Sequence, residues 1–397
     1  MRTSRINARM NARINARRTA MTTDAGHRLL ITRKQLSQAR LGPDPDAPAA
    51  RALQAGQARL AIDRFALTAN NITYAAFGDA MKYWDFFPSG DAVTGCLPVW
   101  GFADVIESTA PGLEVGRRIW GYYPAGTHLV VTPSKVSAAG FIDGATHRQG
   151  LALVYNQYTF CDADADWKPA TEGLKAVLKP LFTTSFLIDD FLADNHYFGA
   201  RQVLLSSASS KTALGTAHCL AQRRGMPDTP EIIGLTSAAN AAYARSLGCY
   251  DTVLLYEELA TLPEQMQTVY VDFSGNAELR RSIHTHFGER LAFSSSIGGT
   301  HWEALGSARD LPGPRPTLFF APAQIKQRSA PPPEGWGSAE FQRRLAEAWA
   351  GFIRKVEDGN WVQIAEHRGA QLALVAYGEM LAGHTDARQG LMLGMHG

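Results

Sequence analysis

The sequence predicts an α/β protein in which a doubly wound parallel sheet follows a β-rich domain. Three observations carry this reading. Short apolar runs alternate with amphipathic helical stretches after Phe182, the stretch from about Arg51 to Ser137 is strand-like and turn-rich, and 397 residues exceed one small domain.

In the first part, Ala58–Leu67, Val99–Ser108, Arg117–Tyr122 and His128–Val131 are apolar pieces separated by Gly and Pro, as strands are. After Phe182, Gln202–Ser206 suits a buried strand, and Thr212–Arg224 repeats Ala213, Leu214, Ala217, Leu220 and Ala221 at helical spacing. Glu231–Thr236 is a second strand, with Ser237 as N-cap of a helix over Ala238–Leu247 that Gly248 stops. Thr252–Leu255, Gln267–Asp272 and Arg290–Ser294 read as further strands, with a helix over Ala277–Phe287 before the last. A Pro/Gly-rich break at Ala330–Gly337 precedes a helix over Ser338–Glu357, a strand at Trp361–Glu366 and a closing helix over Ala370–Leu381. The expected divisions are a leader over 1–25, a β-rich catalytic domain over 26–180, the parallel-sheet domain over 181–325, and a segment over 326–397 that returns to the catalytic domain.

Composition excludes several classes. A hydrophobic content of 45% with 19% charged residues is that of an ordinary globular chain, and no stretch is apolar enough for a membrane anchor. Six arginines precede the first acidic residue, Asp24; without them the net charge of +2 becomes −4, so the rest of the chain has no basic excess to attract nucleic acid. That leader reads as a disordered tail or an over-extended start preceding Met21, with a mitochondrial transit peptide as the other reading. Cys96, Cys161, Cys219 and Cys249 form no CxxC pair and read as reduced, packed thiols in a cytoplasmic protein.

The order of motifs resembles the medium-chain dehydrogenase/reductase superfamily, in its zinc-free quinone and enoyl reductase branch. The residues that carry the resemblance are Pro98–Gly101, Leu113–Gly121 (LEVGRRIWG), Leu181–Leu192, Val271–Asn276, Arg290–Gly299 and Ala382–Leu391. Asn70–Tyr74, Tyr83–Pro88, Ser209–Ala213 and Phe319–Pro322 are similar more closely to the DUF2855 proteins. The resemblance implies a GroES-like catalytic domain, a Rossmann domain, an active site in the cleft between them, and a homodimer acting on a small-molecule substrate.

It also implies a dinucleotide, and here the sequence departs from type. Relatives place glycines between the first strand and helix, whereas this turn reads Ser206-Ser207-Ala208-Ser209-Ser210-Lys211-Thr212. Ser209, Ser210 and Thr212 offer hydrogen bonds, Lys211 offers charge, and the helix N-terminus adds its dipole, so the turn reads either as a pyrophosphate site or as a capped turn that has lost its ligand. The second strand ends in Thr236 and Ser237, with Asn240 and Arg245 beyond and no carboxylate for ribose hydroxyls, which favours NADPH while leaving NADH open. Ser274 and Ser296 complete the expected cofactor set.

Zinc is not expected. The family's zinc enzymes need a Cys and a Gly-His-Glu segment with a four-cysteine cluster nearby, and neither is present; His128 and His147 read as surface or hydrogen-bonded residues. Tyr74 is the expected proton donor, beside Asn71 and Thr73, with Tyr155 in the VYNQY segment. Tyr83, Trp84, Asn156, Tyr158, Phe319 and Phe320 are expected to line the substrate cleft. The expected reaction is NADPH-dependent, zinc-independent reduction of an activated C=C or C=O, as in an enone, quinone or enoyl thioester. The rivals are a redox-silent binding protein on the same fold and a non-redox lyase or acyl-processing enzyme.

Overall fold

The structure, a computed structural model, describes residues 26–297 and 310–396. The expected leader over 1–25 and the Gly298-Gly299 pair lie outside the described residues. Two compact units divide the described residues: one holds those up to Val177, Ile364–His384 and those from Leu391 on, the other those between Leu178 and Gln363 together with Thr385–Gly390.

The first unit is built on a nine-stranded sheet whose centre is Ala58–Leu67, Pro98–Ser108 and Arg118–Pro124, paired antiparallel in that order. Ala58–Leu67 is buried over nearly its whole length and pairs also with His128–Val131 and Gln389–Gly394, so its apolar run has neighbours on both edges. A smaller sheet joins Ala39–Pro43, His27–Thr32 and Thr94–Cys96. The strands His27–Thr32, Ala39–Pro43, Gly140–Asp143 and Gln157–Phe160 carry no clear alternation and are found only in the structure.

The second unit is a six-stranded parallel sheet. Its strands, counted along the chain, are Gln202–Leu205, Glu231–Thr236, Thr252–Leu255, Thr268–Asp272, Leu291–Ser296 and Thr317–Leu318. Their spatial order is third, second, first, fourth, fifth, sixth, the doubly wound Rossmann order. The order reverses between the first and fourth strands, so the C-terminal ends of these two, at Ser206 and Asp272, mark the switch point where such sheets bind ligands.

The C-terminal segment departs from the expected division. The segment after 326 does not return as a whole to the first unit, because the helix Ser338–Asp358 stays in the second. Burial explains it: Phe352 stacks on Phe182 with centroids 4.5 Å apart, and Trp349 packs beside both. The helix carrying Phe182 runs from Glu172 to Asp194, longer than Leu181–Leu192. The following strand starts at Gln363 rather than Trp361, whose ring packs against Phe352 and His218. Among the described residues no helix is long and apolar enough to cross a membrane.

Candidate functional site

The first parallel strand enters a tight turn before the helix Lys211–Ala221. Ser206, fully buried, ties this strand to the fourth: its hydroxyl donates to Asp272 Oδ1 at 3.1 Å and accepts from the Phe273 and Ser274 amides at 3.0 and 3.2 Å. Ser207 then adopts φ +48°, in the left-handed region that favours glycine. The turn glycine makes in other chains is therefore made here by serine, a feature with no signal in the sequence.

Beyond Ser207 the turn is fixed from both sides. The Ser210 amide donates to the Ser207 carbonyl at 2.7 Å, the Ala208 amide donates to the Leu235 carbonyl at 3.0 Å, and the Tyr250 hydroxyl donates to the Ala208 carbonyl at 2.7 Å. Ser210 caps the helix, its Oγ accepting from the Ala213 amide. Among the described residues the backbone amides of Ser209, Lys211 and Thr212 have no partner. Three free N–H groups at the positive end of a helix could hold an anion.

Lys211 adds an adjustable charge. Its ammonium donates to the Ala387 carbonyl at 3.2 Å, and burial pushes its pKa down to about 8, with Asp386 opposing. The Thr385–Gly390 segment thus reaches this loop, and Arg388 lies over the Tyr243 ring at 5.2 Å. Nothing in the sequence announced this partnership, since 176 residues separate Lys211 from Ala387.

At the end of the second strand, Thr236 is buried and Ser237 is the N-cap of the helix Ala238–Ser246, with no side-chain cap bond of its own. Asn240 donates to the Ser237 hydroxyl at 3.3 Å, which keeps the two together. Arg245 is placed elsewhere: it sits in the last turn of that helix, exposed, and donates to the Val253 carbonyl. Some eight residues of helix, about 12 Å, separate it from Ser237.

Asp272 is a structural hub. Its carboxylate accepts from Ser206, from the Ser274 hydroxyl and amide, from the Gly275 amide, and from Arg280 through Nε and Nη2 at 3.0 and 2.8 Å. Ser274 is therefore engaged with Asp272. Ser296, buried at the end of the fifth strand, has a hydroxyl without a partner among the described residues. Phe319 packs on Phe191, and Phe320 is the N-cap of the helix Ala321–Ser329.

In the first unit, the helix Ala69–Ala76 carries Asn71, Thr73 and Tyr74. Asn71 is committed to the fold: its Oδ1 accepts from the Thr68 amide at 2.7 Å and its Nδ2 donates to the Pro98 carbonyl at 2.9 Å. Thr73 is half-buried. Tyr74 is buried in an aromatic group with Tyr83 at 4.5 Å, Tyr122 at 5.7 Å and Tyr155 at 6.2 Å between centroids. Trp100 Nε1 donates to its hydroxyl at 3.4 Å, and the Tyr83 and Tyr155 hydroxyls lie 3.4 Å apart. Burial raises the pKa of Tyr74, Tyr83 and Tyr155, so all three keep their protons at neutral pH.

Three residues expected to line the cleft are buried and held by neighbours in the first unit. Trp84 is wedged against Gly78 and Gly95, leaving no room for a Cβ at either. Tyr158 donates to the Tyr122 carbonyl at 2.6 Å and stacks on Phe141. Asn156 is buried and donates to the Arg148 carbonyl. Trp100 and Tyr122 were not singled out from the sequence, because apolar strand patterning hides them.

Among the described residues no three His, Cys, Asp or Glu side chains are grouped to hold a metal ion. His128 is buried beside Thr127, and His147 faces the Phe86 carbonyl. Burial pushes the thiols of Cys96 and Cys161 up to about 12 and that of Cys249 up to about 11, which leaves them protonated.

A family model described as "Protein of unknown function (DUF2855)" matches residues 65–386. No curated protein matches the sequence. Among solved structures, CurA from Vibrio vulnificus in complex with NADPH is similar, with TM-score 0.55 and 11% identity over 94% of this chain and 100% of that one. The quinone oxidoreductase from Coxiella burnetii gives 0.52 and 14% over 93% and 99%. The CurK enoyl reductase gives 0.51 and 13% over 94% and 100%. At these identities the likeness is one of fold, a Rossmann unit with a GroES-like unit.

Proposed function

Because the chain belongs to the DUF2855 family and has the medium-chain dehydrogenase/reductase fold, we propose that it is a zinc-independent, NADP(H)-dependent reductase of an activated C=C or C=O. The observation that carries this is the cradle at Ser207–Thr212, where a left-handed serine and three free amides replace the glycine fingerprint. Ser209, Ser210, Thr212 and Lys211 hold the pyrophosphate. Thr236, Ser237 and Asn240 take the adenosine side, where a helix N-terminus and no carboxylate suit a 2′-phosphate. Ser296 offers an uncommitted hydroxyl to the nicotinamide end, and Ser274, held by Asp272, is the other residue of that end.

The dinucleotide, when bound, supplies the hydride. Tyr74 supplies the proton, with Thr73 and Tyr155 beside it; its hydroxyl stays protonated until needed, and Trp100 orients its oxygen. The substrate is a small molecule of the enone, quinone or enoyl thioester type, and the enzyme works as a cytoplasmic homodimer. That CurA was solved with NADPH, and that an enoyl reductase and a quinone oxidoreductase share the fold, supports the reading.

Titration of the purified protein with NADPH and NADH, followed by tryptophan fluorescence and thermal shift, tests it. Micromolar NADPH binding with weaker NADH binding is expected. No response to either at millimolar concentration would leave a redox-silent binding protein, and turnover of an unsaturated substrate without NADPH consumption would make it a lyase.

A further inference from the structure

The helix Ala69–Ala76 carries Asn70 and Tyr74 on one face, four residues apart. Around the Tyr74 hydroxyl, donors from three segments of the first unit converge. Trp100 Nε1, on the strand Pro98–Ser108, stands 3.4 Å away, and the Asn70 side chain and the Tyr155 hydroxyl are its other hydrogen-bonding neighbours. An indole N–H can only donate, so the Tyr74 oxygen is an acceptor whatever the other two do. Behind Tyr155, the Tyr83 hydroxyl lies 3.4 Å from the Tyr155 hydroxyl, and both rings pack in the group around Tyr74.

A neutral phenol both gives a proton and accepts, whereas a phenolate only accepts, and accepts more strongly. Donors gathered around one phenol oxygen therefore suit its ionised form better than its neutral one. Burial raises the Tyr74 pKa, and the hydrogen bonds from Trp100, Asn70 and Tyr155 oppose it; at Tyr122 the opposing group is instead Arg148. Burial, and then the charge of an ionised Tyr74, raise the pKa of Tyr83 and Tyr155, so both stay protonated and able to donate. We propose that Asn70, Trp100 and Tyr155 are positioning residues that hold the Tyr74 phenolate left by proton transfer, with Tyr83 donating to Tyr155 behind them. The inference rests on the reductase reading for its use and not for its geometry. In that use, after hydride addition to one end of the activated bond, the other end takes the Tyr74 proton. The Tyr74 O–H bond breaks, its electron pair stays on the oxygen, and water restores the proton. Donors already in place around the oxygen that gains charge stabilise it as this step proceeds.

Tyrosine ionisation in the protein without dinucleotide tests this. Uniform labelling with ring-fluorinated tyrosine brings phenol ionisation into a range the fold withstands. Fluorine NMR then reads each ring, assigned by the signal lost in Tyr74→Phe, Tyr83→Phe and Tyr155→Phe. Of these three signals, that of Tyr74 is expected to ionise at the lowest pH. Trp100→Phe and Asn70→Ala are each expected to raise it by about one pH unit, the worth of one hydrogen bond to a charged group. Tyr83 or Tyr155 ionising first, or a Tyr74 signal that neither substitution moves, would overturn the proposal. If Trp100→Phe does not fold, Asn70→Ala, at a half-buried helix position, and the wild-type order of ionisation still decide. No readout here involves NADPH binding or turnover, so failure of this inference is distinguishable from failure of the reductase reading.

Discussion

Two residues carry most of the proposed phosphate site. Ser207 pays a steric cost for φ +48° that glycine would not. Ser207→Gly trades that strain against unfolded-chain entropy and is expected to change stability by only about 0–1 kcal/mol, in the stabilising direction, with NADPH binding retained; Ser207→Val is expected to cost about 1–3 kcal/mol by denaturant unfolding. Lys211 sets a pH dependence. Its pKa in the folded protein is about 8, below the usual lysine value, so near pH 8 the folded state begins to release a proton that the unfolded chain still holds. The desolvation penalty is therefore fully present below pH 8 and is relieved as pH rises toward the unfolded value. In the proposed site the ammonium faces the phosphate, so the Kd for NADPH is expected to rise above about pH 8, and Lys211→Met is expected to flatten that rise. A wild-type Kd unchanged from pH 7 to 9.5 would remove Lys211 from the site.

The helix Lys211–Ala221 presents its N-terminus correctly only if it lies close to the helix Glu172–Asp194. A Cβ on Gly215 would stand 2.6 Å from Ser185 Oγ, whose single proton is shared between the Leu181 and Thr212 carbonyls, so it cannot easily move. Gly215→Ala is expected to cost about 1–3 kcal/mol and to weaken NADPH binding by displacing the cradle, a pairing checked by unfolding and titration on one preparation. The helix Ser338–Asp358 holds the same layer from outside. Phe352 is fully buried, so Phe352→Ala is expected to cost about 3–5 kcal/mol in thermal or chemical unfolding.

At the scale of the whole molecule, the parallel sheet was legible because it is local. Most strands and helices of the second unit announce themselves by periodicity, and Glu231–Thr236, Thr252–Leu255 and Ala277–Phe287 lie where the pattern places them, whereas the short strand Thr317–Leu318 and the helix Ala321–Ser329 do not. The loop chemistry was legible in part: Ser209, Ser210 and Thr212 stand out as residue types, whereas the left-handed turn at Ser207 and the tie between Lys211 and Ala387 depend on tertiary context. The tyrosine group was least legible, because buried strand aromatics such as Trp100 and Tyr122 look like ordinary core. For the same reason the deep burial of Trp84 and Tyr158 was not legible in the sequence. The central claim is that the Ser207–Thr212 cradle binds a dinucleotide, and a crystal structure grown with NADP tests it most directly. The account predicts the pyrophosphate against the amides of Ser209, Lys211 and Thr212, with the 2′-phosphate beside Ser237 and Asn240. An NADP bound away from this loop, or a cradle that stays empty at saturating NADP, would contradict it.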